Sequence, residues 1–144
     1  MTETTPPPTT VFRAPVPLRW SDLDAFNHVN NARYLTFLEQ ARIEWLETIG
    51  EPWMTDDAAP VVASATLNFK RPIEYPAQVF TELFTERLGT SSVVIGHRIV
   101  AADGTLHCDG NVVVVWVGRR DGRPTPLPDC VRRASERLLV ATTA

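Results

Sequence analysis

The most informative part of the sequence is residues 20–34, WSDLDAFNHVNNARY. Before it, apolar residues alternate with other residues from Val16 onward, which predicts a β-strand that ends near Trp20. After it, apolar residues recur every three or four positions from Tyr34 to Ile49, which predicts an α-helix. Asn30 is suited to cap that helix, because its side chain can accept a hydrogen bond from the first turn. Most of the segment is therefore a polar loop between a strand and a helix start.

Asp24 makes this loop a candidate catalytic site. A helix start offers unpaired backbone N–H groups and a partial positive charge. A carboxylate beside such a start can activate water or attack directly, while the N–H groups bind an oxyanion. The arrangement suits hydrolysis of an activated acyl group.

The rest of the chain is mainly β-strand in pattern. Four further strands are predicted, at Val61–Phe69, Val79–Leu88, Ser91–Val100 and Leu106–Val117. Asp129 is expected to cap a short final helix that runs through Val140. One long helix and about five strands predict an α+β fold, in which an antiparallel sheet wraps around the helix. The run Val112–Val117 has no polar alternation and predicts a strand buried on both faces, in part by a partner subunit.

The composition fits one globular domain. The chain has 144 residues, of which 44% are hydrophobic and 22% charged. Its net charge of −3 gives no electrostatic reason to expect binding to nucleic acid or to acidic membranes. The two cysteines and three histidines lack metal-ligand spacing, so no metal site is expected.

The ends of the chain are expected to be disordered. Residues 1–12 form a tail rich in Thr and Pro, residues 13–140 form the domain, and residues 141–144 form a short C-terminal tail. The N-terminal residues lack the basic and apolar regions of a secretory signal, and no apolar run has the length of a membrane span. A cytoplasmic protein is therefore expected.

Three blocks of the sequence resemble one known family. They are Arg19–Arg42, Leu67–Ile73, and Gly104–Val117 with Pro126–Pro128. Together these blocks resemble hotdog-fold acyl-CoA thioesterases, and in particular the 4-hydroxybenzoyl-CoA thioesterase-like family. The resemblance extends from about Val16 to Leu138. It implies a homodimer whose two sheets join edge to edge, with paired active sites at the interface, and in some members a homotetramer. It also implies an acyl-CoA substrate and no cofactor beyond the CoA of that substrate.

The resemblance assigns roles to several residues of the loop and helix. Asp24 falls on the catalytic aspartate of the family, with the nucleophile and general-base roles both open. Asn31 falls where the family donates a backbone N–H to the thioester carbonyl. Asn27 stands where the family usually has glycine, which suggests a positive φ that asparagine tolerates. Glu39 is a reserve candidate, because related hotdog enzymes use a helix glutamate as acid or base.

Other side chains have weaker claims to the site. His28 is a candidate to orient Asp24 or to line the pocket, although a packing or loop-bonding role fits it as well. Asp22 is the neighbouring carboxylate, for which a turn role is expected. The expected substrate-binding residues are Asn27, Asn30, Tyr34, Lys70 and Arg71. Cations suited to the phosphates of CoA are Lys70, Arg71, Arg119, Arg120 and Arg123, although charged loops of this kind are commonly just solvated.

The expected function is hydrolysis of an acyl-CoA to CoA and a carboxylic acid. Two alternatives stay open. One is a hydratase or dehydratase acting on acyl thioesters, which would pair His28 with Asp24. The other is a non-catalytic module that binds acyl-CoA, because a fold alone does not define an activity.

Overall fold

The computed structural model describes residues 10–140. The strands are β1 (Phe12–Pro15), β2 (Ala58–Phe69), β3 (Val79–Leu88), β4 (Ser92–Ala101) and β5 (Leu106–Gly118). The helices are α1 (Asn31–Glu47) and α2 (Asp129–Arg137), and a 3-10 turn spans Trp20–Asp22. The expected disorder of residues 1–9 and 141–144 concerns residues outside this range, while Phe12, placed in the tail by the sequence, is the first residue of β1.

The strands form one antiparallel sheet in the order β1-β3-β4-β5-β2. The strands β3, β4 and β5 follow one another as hairpins, because each pairs with the next along the chain. By contrast, β2 pairs with β5 and β1 pairs with β3, so these two strands are the edges of the sheet. The predicted α+β architecture, with five antiparallel strands and one long helix, is confirmed.

Helix α1 provides the centre of the core. Its buried apolar side chains recur every three or four residues from Tyr34 through Leu38 and Ala41 to Trp45, and Leu46 widens the buried stripe. The first two belong to an apolar cluster with Val29 and Ile73, which lies next to the loop of Asp24. The other three belong to a larger cluster with residues of α2 and of the middle strands. Burial of this stripe fixes the start of α1 relative to the sheet.

Three details differ from the sequence-based expectation. The first strand is Phe12–Pro15, so the alternating residues that predicted a strand ending near Trp20 lie outside it. Its pairing stops after the Val16 N–H, which donates to the Val79 carbonyl at 2.9 Å, because Pro17 has no N–H to continue the ladder. The run Val112–Val117 is buried on one face only, since its even-numbered residues are buried while the odd-numbered residues are partly exposed. Residue Asp129 does not cap α2: Pro128 is the N-cap, no side chain caps the helix, and it ends at Arg137.

None of the helices between residues 10 and 140 is long and apolar enough to cross a membrane.

Candidate active site

The loop of Asp24 is held in a tight hairpin-like shape. The Asp24 N–H donates to the His28 carbonyl at 2.7 Å, and Leu23 and Val29 form an isolated β-bridge just outside it. The turn is closed by Asn27, whose φ is 59°. This confirms the positive φ expected at that position, which asparagine adopts more easily than most residues.

The carboxylate of Asp24 is oriented by the backbone of its own loop. Its Oδ1 accepts hydrogen bonds from the N–H of Phe26 at 2.8 Å and of His28 at 3.3 Å. This is an Asx turn, in which backbone N–H groups alone hold the side chain in place. Both hydrogen bonds reach Oδ1 of this exposed carboxylate, and no group of residues 10–140 donates to its Oδ2.

The start of α1 lies beside this carboxylate and is capped as expected. The Asn30 side chain accepts a hydrogen bond from the Ala32 N–H at 3.0 Å, and Asn30 is the N-cap residue. The Asn30 N–H donates to the carbonyl of Asp22 at 2.8 Å, which ties the helix start to the preceding 3-10 turn. Within residues 10–140 the Asn31 N–H donates to no backbone carbonyl. This is expected of an amide in the first turn of a helix, which has no partner inside the helix.

A cavity of about 320 Å³ brings the candidate residues together. Six of the residues predicted for the site line it: Asp24, His28, Asn31, Tyr34, Lys70 and Arg71. Three residues that no role was predicted for also line it: Val29, Phe69 and Pro72. The sequence could have indicated Phe69, because period-two alternation places its side chain on the same face as Leu67 at the end of β2.

The apolar part of this cavity is built on Tyr34. Its ring is 2% exposed and meets the Phe69 ring edge-on, with centroids 5.0 Å apart at 85°. Burial raises the pKa of the Tyr34 phenol, with a smaller upward contribution from nearby Cys108, while a hydrogen bond with the Ile73 backbone opposes the rise. The phenol therefore stays neutral near pH 7. Burial likewise raises the pKa of Cys108 to about 11, so this thiol stays protonated and is not a nucleophile.

The segment after β2 also lines the cavity. The Val29 N–H donates to the Ile73 carbonyl at 2.8 Å, which attaches the loop of Asp24 to this segment. The N–H groups of Lys70 and Arg71 donate to the carbonyl of His107 at 2.9 and 3.3 Å. Both side chains are exposed, so their charged ends are available at the rim.

Several predicted residues lie elsewhere. The side chain of Asn30 is used as the helix cap, and Asn27 is exposed at the turn, so neither lines the cavity. Glu39 lies two turns into α1, is exposed and does not line the cavity of this chain. His28 does line the cavity, but its imidazole lies 3.7 Å from the Glu74 carboxylate, so only its backbone N–H orients Asp24.

The arginines Arg119, Arg120 and Arg123 follow the far end of β5 and do not line the cavity either.

Asp22 has the turn role that the sequence indicated. It is 1% exposed, and its Oδ2 accepts a hydrogen bond from the Arg19 N–H at 2.9 Å. The guanidinium groups of Arg19 and Arg33 lie 3.6 and 3.7 Å from its Oδ1. It lines a second cavity, of about 260 Å³, which shares no residue with the first. Asp22 therefore joins the loop to the first turn of α1 and leaves Asp24 as the carboxylate of the site.

No group of three or more metal-binding side chains occurs within the part of the chain that the structure describes.

The fold is that of hotdog thioesterases, and the relatives of this chain identify it as a thioester hydrolase. The chain belongs to the thioesterase-like superfamily, which it matches over residues 18–135.

Individual relatives agree with this assignment. The acyl-CoA thioester hydrolase YbgC of Escherichia coli is 34% identical, over 85% of this chain and 94% of YbgC. The protein XC229 of Xanthomonas campestris has a solved structure that is 46% identical, with a TM-score of 0.73, over 81% of this chain and 99% of that one. A thioesterase of Thermus thermophilus, solved with coenzyme A and Zn, is 36% identical, with a TM-score of 0.74, over 89% of this chain and 92% of that one.

Proposed function

We propose that this protein is an acyl-CoA thioesterase that releases CoA and a carboxylic acid. The observation that carries the proposal is that the Asp24 carboxylate and the start of α1 at Asn31 line one cavity. The names of YbgC and of the Thermus structure support an acyl-CoA as the substrate.

In the proposed reaction, the thioester carbonyl oxygen accepts a hydrogen bond from the Asn31 N–H. The amide and the helix dipole stabilise the negative charge that develops on this oxygen. Asp24 either removes a proton from water or attacks the carbonyl carbon to form an anhydride that water then hydrolyses. In both routes a bond from oxygen to the carbonyl carbon forms, the C–S bond breaks, and a proton from water ends on the CoA thiolate. The proposed route uses no metal or redox cofactor.

The cations at the rim supply a place for the nucleotide end of the substrate. Lys70 and Arg71 are exposed beside the cavity, and such side chains suit phosphate groups. We propose that both hold CoA phosphates. The three arginines after β5 lie away from the cavity and are not placed to do so.

We further propose that the protein is a homodimer in the cytoplasm. Among residues 10–140, β2 pairs on one side only, which supports pairing with a second copy along its other side. Both cysteines, Cys108 and Cys130, are free thiols, which suits a reducing compartment.

Replacement of Asp24 tests the mechanism directly. We expect Asp24→Asn to lower kcat by ~100-fold or more on the best acyl-CoA, because the amide is neither a base nor a nucleophile. The variant keeps an Oδ1 acceptor for the two loop N–H groups, so the fold should be unchanged. Release of CoA is followed with a thiol reagent, and the buried Cys108 and Cys130, 0% and 8% exposed, should contribute little background.

The matched control is Asp56→Asn, an exposed carboxylate that does not line the cavity. It should retain the kcat of the parent protein. A full kcat for Asp24→Asn would remove this residue from the mechanism. Tight acyl-CoA binding without thiol release by the parent protein would instead favour the non-catalytic module.

A further inference from the structure

One buried charge of α1 has no partner within residues 10–140. Arg42 is 9% exposed, and its Nη1 is closed to solvent and forms no hydrogen bond. Burial lowers the pKa of this guanidinium and the charge of Glu39 opposes the change, but an arginine stays charged at neutral pH. A buried charge without a counter-ion is costly, so we expect a carboxylate to pair with Arg42.

Glu39 lies one turn before Arg42 on the same helix. It is exposed, and among the described residues neither of these two side chains takes part in an ion pair. Another flank of α1 carries Phe37 and Gln40, which line the second cavity together with residues of β1. Because the helix has about 3.6 residues per turn, Glu39 and Arg42 lie on the flank that faces away from β1.

The flank that carries Arg42 faces the edge strand β2. Besides burial, the Arg42 charge lowers the pKa of His97 on β4, and the His97 ring reaches the Thr66 carbonyl of β2. On this face of the sheet Val62 of β2 is 48% exposed, although its register partner on β5, Val114, belongs to the core. The surface between this flank and the edge of the sheet is therefore exposed in the single chain.

Arg42 also lies near the middle of β2. The helix runs in the opposite direction to this strand: the Tyr34 ring meets Phe69, the last residue of β2, whereas the second half of α1 packs in the cluster of Trp116, which pairs with Pro60. From Tyr34 to Arg42 the helix advances about 12 Å, which equals the rise of three or four strand residues. Counted back from Phe69, this distance ends near the middle of the 12-residue strand.

Pairing along β2 would bring two such flanks together. Antiparallel pairing of identical edge strands requires a two-fold axis normal to the sheet, so both helices lie on one face and run in opposite directions. Because Glu39 and Arg42 are one turn apart near this axis, each can meet the other residue in the second copy. Leu35 and Ile43, 44% and 40% exposed one turn to either side of Glu39, would be covered at the same time.

We propose that Glu39 and Arg42 form two reciprocal salt bridges across the homodimer, in which each buried guanidinium pairs with the carboxylate of the second copy. This inference rests on the homodimer of the proposed function. It gives Glu39 a role in assembly and none in the chemical step.

Charge reversal in separate chains tests the inference. We expect Glu39→Arg and Arg42→Glu each to raise the Kd of the homodimer by about tenfold or more, because like charges then meet twice near the axis. An equimolar mixture of the two variants should form a heterodimer, in which an arginine faces a glutamate at both positions. Native mass spectrometry identifies this heterodimer, because the two variants differ in mass. An ion pair within one chain would not be rescued by mixing.

Glu44→Arg is the matched control. Glu44 lies on the same helix but lines the second cavity, on the flank toward β1, so the same charge reversal there should leave the Kd unchanged. Because Glu39 is exposed, Glu39→Arg should fold even if Arg42→Glu does not, and it alone must then weaken the homodimer.

The outcomes separate this inference from the proposed function. Glu39→Arg with the Kd of the parent protein, or a mixture that associates no better than its components, would overturn the inference and leave the dimer along β2 standing. Glu39→Gln with an unchanged Kd and a lowered kcat would overturn it in favour of a chemical role for Glu39. A monomeric parent protein would overturn the inference and the proposed dimer together. Association is measured without substrate, so the result does not depend on whether an acyl-CoA is hydrolysed.

Discussion

The backbone at Asn27 sets the shape of the loop that carries Asp24. Its φ of 59° lies in the left-handed region, and its N–H donates to the Asp24 carbonyl at 3.3 Å. An ordinary residue enters this region at a cost of about 1–2 kcal/mol, whereas glycine and asparagine enter it most easily. The family's usual glycine and the asparagine found here therefore satisfy the same requirement.

Variants at Asn27 should differ in stability according to how easily the new residue adopts this φ. We expect Asn27→Gly to be nearly neutral, and Asn27→Val to lower the free energy of unfolding by about 1–2 kcal/mol, because a β-branched residue is strained there. A displaced loop would also misplace Asp24, so the valine variant should lose kcat. Urea unfolding and CoA release measure the two effects, with the glycine variant as control. Equal stability of both variants would contradict this account.

The sequence predicted the local part of the site and not its long-range part. Asp24 and Asn31 could be identified because a loop and a helix start adjacent in the chain must lie close together. The contact between the His28 imidazole and the Glu74 carboxylate could not, since an isolated β-bridge brings these two residues together from distant segments. The substrate-binding role expected for Asn30 depended on a side chain that the helix cap already uses.

Among the strands, prediction succeeded where pairing is local. The bounds of β3 match the expected Val79–Leu88, and β4 and β5 begin within one residue of their expected starts. These strands alternate and are joined by tight turns, so their pattern and their pairing are both visible in the sequence. The partner of β2 is β5 and not its chain neighbour β3, and no local pattern carries that information.

A buried histidine links three of these strands. The His97 Nε2 on β4 lies 3.0 Å from the carbonyl oxygen of Thr66 on β2. It passes over Gly110 of β5, where a Cβ would lie 1.9 Å from that oxygen, so only glycine fits. The other ring nitrogen, Nδ1, is buried without a hydrogen-bond partner among residues 10–140. The imidazole therefore acts in the fold as a neutral donor.

Burial of His97 should make stability fall in mild acid. Burial lowers its pKa to about 4 from an ordinary 6.5, the Arg42 charge also lowers it, and the Thr66 hydrogen bond and the Asp109 charge oppose the change. Below pH 6.5 the unfolded chain binds a proton that the folded chain does not. The stability that neutral His97 contributes is therefore fully present above pH 6.5 and is lost as the pH falls toward 4. By linkage, about 2 kcal/mol of it should be lost between pH 7.5 and pH 5.

The matched variant is His97→Gln, which retains a donor for the Thr66 carbonyl and does not titrate. Its free energy of unfolding should depend less on pH, so the difference from the parent protein should change by about 2 kcal/mol between pH 7.5 and 5. If the variant does not fold, the His97 imidazole resonances of the parent protein should show no titration above pH 5. A difference that is constant with pH, or a titration near pH 6.5, would contradict the prediction.

Within residues 10–140, the sheet has one long unpaired edge. β2 is 12 residues long and pairs on one side only, whereas the other edge strand, β1, has four residues. Adjacent residues of β2, Val61 and Val62, are 45% and 48% exposed, so apolar surface is open on both faces of this strand. An apolar, unpaired edge of this length is a ready template for another strand. Pairing with a second copy would continue the sheet and cover this surface.

Charges on this edge should dissociate the proposed dimer. Light scattering should give the parent protein twice the chain mass of 16.0 kDa, or four times if dimers pair, and Val61→Lys/Val62→Lys should give one chain mass. Lysine is the residue with which natural edge strands resist pairing, because its charge would be buried in the new interface.

Leu139→Lys is the control, since Leu139 is 47% exposed but lies beyond α2. A monomeric parent protein, or a lysine variant that stays dimeric, would show that β2 is not the interface. If the monomer also loses kcat while the control does not, the second copy completes the cavity beside Asp24 as well as the sheet.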